Sequence, residues 1–170
     1  MALGDLMVYF NSDIVVGQHF MEAVNLAAAR FDGPFLMIGH RDNLELDRYL
    51  DFSNGWFSRL QGEVAERGHQ HPACGKDYFI FRKPQFFDMP PFIVTAIEWD
   101  NWIVWNTLQR EVPLIDATDF IKVVHQDHWR KKRGSVQTRI NRSLFAGANK
   151  TTYIYNATWA MDREGKFRKK

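Results

Sequence analysis

The 170-residue chain is long enough for one domain with a single core, and its 45% hydrophobic and 25% charged residues exclude a disordered or fibrous class. A net charge of +2 argues against a general nucleic-acid-binding role, since the basic residues gather only at Arg130–Arg133 and in the last five positions. One cysteine, Cys74, excludes an internal disulfide framework; with no apolar run long enough to span a membrane and no basic–apolar leader, a cytoplasmic protein is expected.

Along the chain, the apolar run at residues 5–10 reads as a buried strand that ends abruptly in Asn11-Ser12-Asp13. Residues 17–31 read as a helix, because Phe20, Val24, Ala27 and Phe31 recur at helical spacing. Gly33-Pro34 stops it, and residues 35–39 form a second strand ending in His40-Arg41-Asp42. Residues 44–67 predict a helix in two pieces, broken near Ser53-Asn54-Gly55. A loop over 68–75 precedes a third strand at 78–81. Pro90-Pro91 marks an irregular link, and Glu98-Trp99-Asp100 opens a helix that runs to about Arg110. Strands are expected at 113–117 and 120–125, a helix at 135–145, a strand at 152–155 and a basic tail. Strands alternate with helices, so the class is α/β in a single domain over residues 1–170.

Four polar clusters fall where strands end or helices begin, which is where ligands gather in open α/β sheets. In Asn11-Ser12-Asp13, Asp13 is the one carboxylate, and a hard cation such as Mn²⁺ or Mg²⁺ takes oxygen ligands of this kind. Taken alone, that cluster reads better as a plain turn. In Cys74-Gly75-Lys76-Asp77, Gly75 permits close approach of a ligand to the backbone, and Asp77 can accept hydrogen bonds from sugar hydroxyls. In Glu98-Trp99-Asp100, the helix N-terminus favours an ionised Asp100, suited to act as a base or to orient a hydroxyl. Trp99, Trp102 and Trp105 follow at spacings of three, and two of them are expected in the core. In His125-Gln126-Asp127-His128, an imidazole can complete a metal shell begun by a carboxylate, and the cations from Arg130 onward can stabilise a leaving diphosphate. The His-x-x-His spacing lacks the further ligands of a structural zinc site. Aromatics make up 15% of the chain, enough to line a sugar or base cleft as well as a core.

In this order, "YFNSDI", "HPACGKDYFIF", "IEWDNWIVW" and "LIDATDFIKVVHQDH" resemble the metal motif, glycine loop, acidic helix start and histidine-bearing strand pair of GT-A fold glycosyltransferases. "FLMIGHRDNLEL" and "YIYNATW" add to the likeness, which covers about Leu6 to Trp159. The resemblance implies a metal-dependent enzyme that transfers a sugar from a nucleotide-diphosphate donor, UDP- more than GDP-sugar, to a hydroxyl acceptor. It places Mn²⁺ or Mg²⁺ on Asp13 and His125. It assigns Asn11, Ser12, Arg41, Gly75, Lys76, Asp77, His128 and Arg130 to the donor side, and Trp99 and Asp100 to the acceptor side. Asp100 and Asp77 are its catalytic candidates.

Two departures accompany the likeness. Asn11 stands at the first acidic position of the metal motif, and the chain starts at the metal strand without the strand–helix units that hold the nucleotide in such enzymes. A partial GT-A fold is therefore expected, a mixed sheet flanked by helices. Its strand at 5–10 should lie at an exposed edge, covered by a second copy or another partner. The same departures favour an alternative, a module of this fold that binds nucleotide or sugar without transfer.

Overall fold

The computed structural model of the protein describes residues 4–83, 85–86, 88–94, 96–127, 135–145 and 151–170. Strands β1 (Leu6–Phe10) and β2 (Ile14–Val16) precede helix α1 (Phe20–Arg30). Then come β3 (Leu36–Ile38), β4 (Asp42–Glu45), α2 (Trp56–Arg67), β5 (His69–Gln70) and β6 (Tyr78–Arg82). Helix α3 (Trp99–Gln109), β7 (Leu114–Asp116), β8 (Val123–Asp127), α4 (Ser135–Leu144), β9 (Trp159–Met161) and β10 (Phe167–Lys169) complete the order.

These strands form two mixed sheets. The larger runs β1-β6-β3-β7-β9-β10, and the smaller runs β2-β8-β4-β5. In the larger sheet β6 is antiparallel to β1 and β3, whereas β3, β7 and β9 are parallel. Both of its faces are covered, and the strands divide their side chains accordingly by the two-residue alternation of a pleated strand. Met37, Tyr78, Ile80 and Ile115 face the cluster built on α1, with Phe20, Ala23, Val24 and Ala27. Leu36, Ile38, Phe79 and Leu114 face the cluster built on α3, with Trp99, Trp102 and Ile103. The smaller sheet packs Leu44 and Val124 against Leu60 of α2. The architecture is thus mixed α/β, as expected, and β1 is the terminal strand of the larger sheet.

Some expected elements fall elsewhere. The first piece of the 44–67 helix is absent: β4 occupies its start, and α2 begins only after Gly55, whose φ of +74° suits glycine. The strand expected at 120–125 begins at Val123, because Phe120 and Ile121 turn back to donate to the Ala117 carbonyl. The strand expected at 152–155 is replaced by a 3₁₀ turn over Ile154–Asn156, closed by the Tyr153 N–H donating to Asn156 Oδ1 (2.8 Å). The strand of that region is β9, and part of the basic tail pairs with it as β10. His128 and Arg130–Arg133 lie outside the described residues. Among the described residues, no helix is long and apolar enough to cross a membrane.

Candidate functional site

Asn11-Ser12-Asp13 is a turn, and it is also a corner. Ile14 N–H donates to the Asn11 carbonyl (3.2 Å), and across this bend the chain leaves the larger sheet and enters the smaller one. A cavity of about 590 Å³ opens beside the corner. Its wall brings together Asn11, Ser12, Asp13, Arg41, Gly75, Lys76, Asp77, Trp99 and Asp100, residues spread over three of the four sequence clusters and the end of β3. Each arrives at an element end: β1 for the first three, the entry to β4 for Arg41, the entry to β6 for residues 75–77, and the first turn of α3 for the last two.

A polar chain crosses the floor of this cavity. Tyr9 Oη donates to Asn11 Oδ1 (3.1 Å), Asn11 Nδ2 donates to Asp77 Oδ1 (2.6 Å), and Asp77 Oδ2 pairs with the Arg41 guanidinium. Arg41 and Asp77 are only 4% and 6% exposed, so the pair is a buried one. Arg41 Nε also donates to Asn43 Oδ1 (3.1 Å), and its Nη2 lies 3.3 Å from His71 Nδ1. The His71 ring covers Gly75 so closely that a Cβ there would stand 2.1 Å from His71 Cδ2. Gly75 is therefore required by a protein side chain pressed against its backbone. The sequence expectation had assigned that close approach to a ligand.

Lys76 and Asp100 line the same cavity. The Lys76 ammonium is buried and donates to Cys74 O (2.8 Å), Thr152 O (2.9 Å) and Asn101 Oδ1 (3.2 Å), with Asp100 Oδ2 at 3.8 Å. Its three protons are thus met by the protein, and they lash the 74–77 loop to α3 and to residue 152. Burial pulls the Lys76 ammonium below its ordinary range, against the pull of Asp100. Burial likewise pushes the Asp100 carboxyl up, and neither Lys76 nor the backbone N–H groups of the helix start fully offset this. The expectation that the helix terminus keeps Asp100 readily ionised is corrected in direction: desolvation outweighs the helix start. A carboxyl held above its usual range is a better proton acceptor once ionised.

Trp99 lines the cavity as well. Its ring meets Tyr9 edge-on (5.1 Å between centroids) and Phe79 at a tilt (5.3 Å). Trp99 and Trp102 are buried and Trp105 is not, so two of the three tryptophans do enter the core. Immediately before Trp99, Glu98 holds a φ of 92°, an uncommon conformation for a residue with a side chain.

His125 belongs to β8, the second strand of the smaller sheet, where it lies opposite Ile14 on one side and Asn43 on the other. The Gln126 N–H donates to the Asp13 carbonyl (3.0 Å), which brings Asp13 to the same level. The result is Asp13 Oδ2 at 3.2 Å from His125 Nε2, although the two residues are 112 positions apart in the chain, from 13 to 125. His125 is 1% exposed, and Asp13, which it contacts, lines the cavity.

Two contributors were not legible beforehand. Tyr9 reads as one more apolar residue of β1, yet its hydroxyl starts the polar chain. His71 opens the glycine-loop segment but was assigned no role there; the pairing of β4 with β5 carries it over Arg41, whose carbonyl accepts the His71 N–H (3.0 Å). Asn141 is fully buried and clamps the backbone of Ile93 and Ile97. Comparison with protein-family models, with curated proteins and with solved structures gave no match. The cavity is therefore interpreted from its own geometry.

Proposed function

We propose that the chain is a GT-A-type glycosyltransferase that moves a sugar from a nucleotide-diphosphate donor, a UDP-sugar before a GDP-sugar, to a hydroxyl acceptor with the help of Mn²⁺ or Mg²⁺. The observation that carries the proposal is the convergence of three of the four ordered sequence clusters on one cavity, with Asp13 of the first in contact with His125 of the fourth. Asp13 and His125 fit the role of metal ligands. Two groups sharing an edge of an octahedral shell with bonds of about 2.1 Å stand about 3 Å apart. The pair here is 3.2 Å apart. Among the described residues no group of three such ligands occurs, so a diphosphate and water would supply the rest of the shell.

When bound, the ion supplies neutralisation of charge on the departing diphosphate. The remaining work belongs to side chains. Asp77, oriented by Asn11 and Arg41, would accept hydrogen bonds from the transferred sugar at the Gly75 loop. Trp99 would give the acceptor a flat wall. The acceptor oxygen attacks the anomeric carbon, the bond from that carbon to the diphosphate oxygen breaks, and the diphosphate leaves with the bonding electrons. Asp100 takes the acceptor's proton. His128 and Arg130 enter this proposal from sequence alone, as partners of the diphosphate.

Calorimetric titration with UDP and with GDP, with and without Mn²⁺, tests the proposal. UDP binding that needs Mn²⁺ and is lost in Asp13→Ala is expected; metal-independent or absent binding refutes the mechanism. A second reading, binding without transfer, is favoured by the Asn11 amide, which is spent on Asp77 where the motif's first carboxylate would stand. Release of free UDP from UDP-sugars separates the two, because binding alone produces none. The terminal position of β1 also supports a homodimer across that edge. Light scattering that shows a monomer at all concentrations overturns that part.

A further inference from the structure

A second cavity of about 440 Å³ adjoins the first. Met7, Phe79, Phe81, Phe86, Met89 and Ile103 line it, and its polar contributions come from Lys83 and Gln85. Its floor follows from strand register. Met7 pairs with Phe81 and Tyr9 with Phe79, so all four side chains project from the same face of the β1–β6 pair. Ile103 lies one helical turn beyond Trp99 and extends the same face of α3 over them. The groove therefore runs along the edge of the larger sheet beneath α3.

Tyr9, Val94 and Trp99 line both cavities, so the two lie side by side, and Asp100 lines the polar one. The rim of the polar cavity is apolar as well: Phe10 is 45% exposed, Val94 44% and Ile97 38%. A soluble domain does not gather such residues at the mouth of a polar cleft without a reason. A sugar or peptide acceptor would leave its hydrogen-bonding groups unmatched in the groove, at a cost of about 1–3 kcal/mol for each buried group. An alkyl tail needs no partners there.

We infer that the acceptor is an amphiphile, its hydroxyl at Asp100 and its apolar tail in the groove between the β1–β6 face and α3. This inference rests on the glycosyltransferase reading for the fate of the hydroxyl, but the tail site stands on the groove itself. The test uses n-octyl β-D-glucoside below its micelle concentration, with glucose as control, on protein carrying ¹³C-methyl methionine. The methyls of Met7 and Met89 are expected to shift with octyl glucoside and not with glucose. Met161, buried in the α1 cluster, should stay still.

Met7→Glu and Met89→Glu, both at partly exposed positions, should each weaken the binding at least tenfold while leaving the melting temperature within a few degrees. Equal shifts with glucose, shifts away from the groove, or unchanged affinity in both variants overturn the inference. So do Met7 and Met89 shifts that follow protein concentration without ligand, since a second copy of the chain would then fill the groove. Neither donor nor metal enters this measurement. Tail binding without sugar transfer would count against the proposed activity alone.

Discussion

The Arg41–Asp77 pair gives the sharpest test of the polar floor. Asp77→Leu leaves a guanidinium that is 4% exposed without its carboxylate, and Arg41→Met leaves a carboxylate that is 6% exposed without its cation. Breaking a buried pair from one side costs about 3–5 kcal/mol, because the remaining charge stays desolvated. Asn43 and Asn11 still bond to the remaining partner and favour the lower end of that range. For a domain of this length each kcal/mol moves the melting temperature by about 2–4 °C, so each single variant should melt about 6–20 °C below the parent. The double variant removes both charges and spares that penalty. It should be more stable than the sum of the two single losses by at least about 2 kcal/mol, read as a coupling energy from urea unfolding of the four proteins. A coupling energy below about 0.5 kcal/mol, the level expected of independent sites, would refute the reasoning.

Four further predictions concern Asp100, Glu98 and Gly75. The Asp100 carboxyl titrates above its unfolded value, so folding takes up a proton between the two values and stability falls as pH rises through that window; Asp100→Asn should flatten this slope in pH-dependent melts. In transfer assays the rate should climb as pH rises through the raised Asp100 value, and the same variant should lose about a hundredfold or more. Glu98 spends about 1–3 kcal/mol on its φ of 92°, so Glu98→Gly should be more stable than Glu98→Ala by about 1 kcal/mol, the reverse of the usual order. Gly75→Ala drives a methyl into His71, and a loss of about 1–3 kcal/mol is expected in denaturant unfolding; a neutral result would mean that the ring swings aside freely.

The strands β1, β3, β6 and β7 of the larger sheet were readable because they are largely apolar runs, whereas β9 and the basic β10 were not. Residues 35–39 and 78–81 contain β3 and nearly all of β6, since a strand covered on both faces must be apolar throughout. In the smaller sheet only β8 was readable, in part, through the strand expected at 120–125. Its β4 reads Asp-Asn-Leu-Glu, and Asn43 is buried only because its amide meets Arg41, His69 and His71. Nothing local signals a strand held by polar partners 26 and 28 residues away, as those two histidines are. The same limit applies to the site. Element ends marked out Asn11, Asp77 and Asp100, because polar clusters punctuate apolar runs there. The sequence was silent on how they are wired: Asn11 as a brace on Asp77, Lys76 as a tether, and His71 as a lid on Gly75.

The Arg41–Asp77 pair also does something at a larger scale. Asp77 O accepts the Asn11 N–H and so prolongs the β1–β6 ladder by one rung, while Arg41 O accepts the His71 N–H and prolongs the β4–β5 ladder by one rung. Each ion therefore sits at the tip of a different sheet, and their contact is a clasp between two otherwise separate hydrogen-bonded ladders. With the clasp shut, opening either ladder strains the other, and the two sheets should lose their slowest-exchanging amides together. The cavity is lined by both partners of that clasp, so its shape follows the two sheets as well as the loops around it.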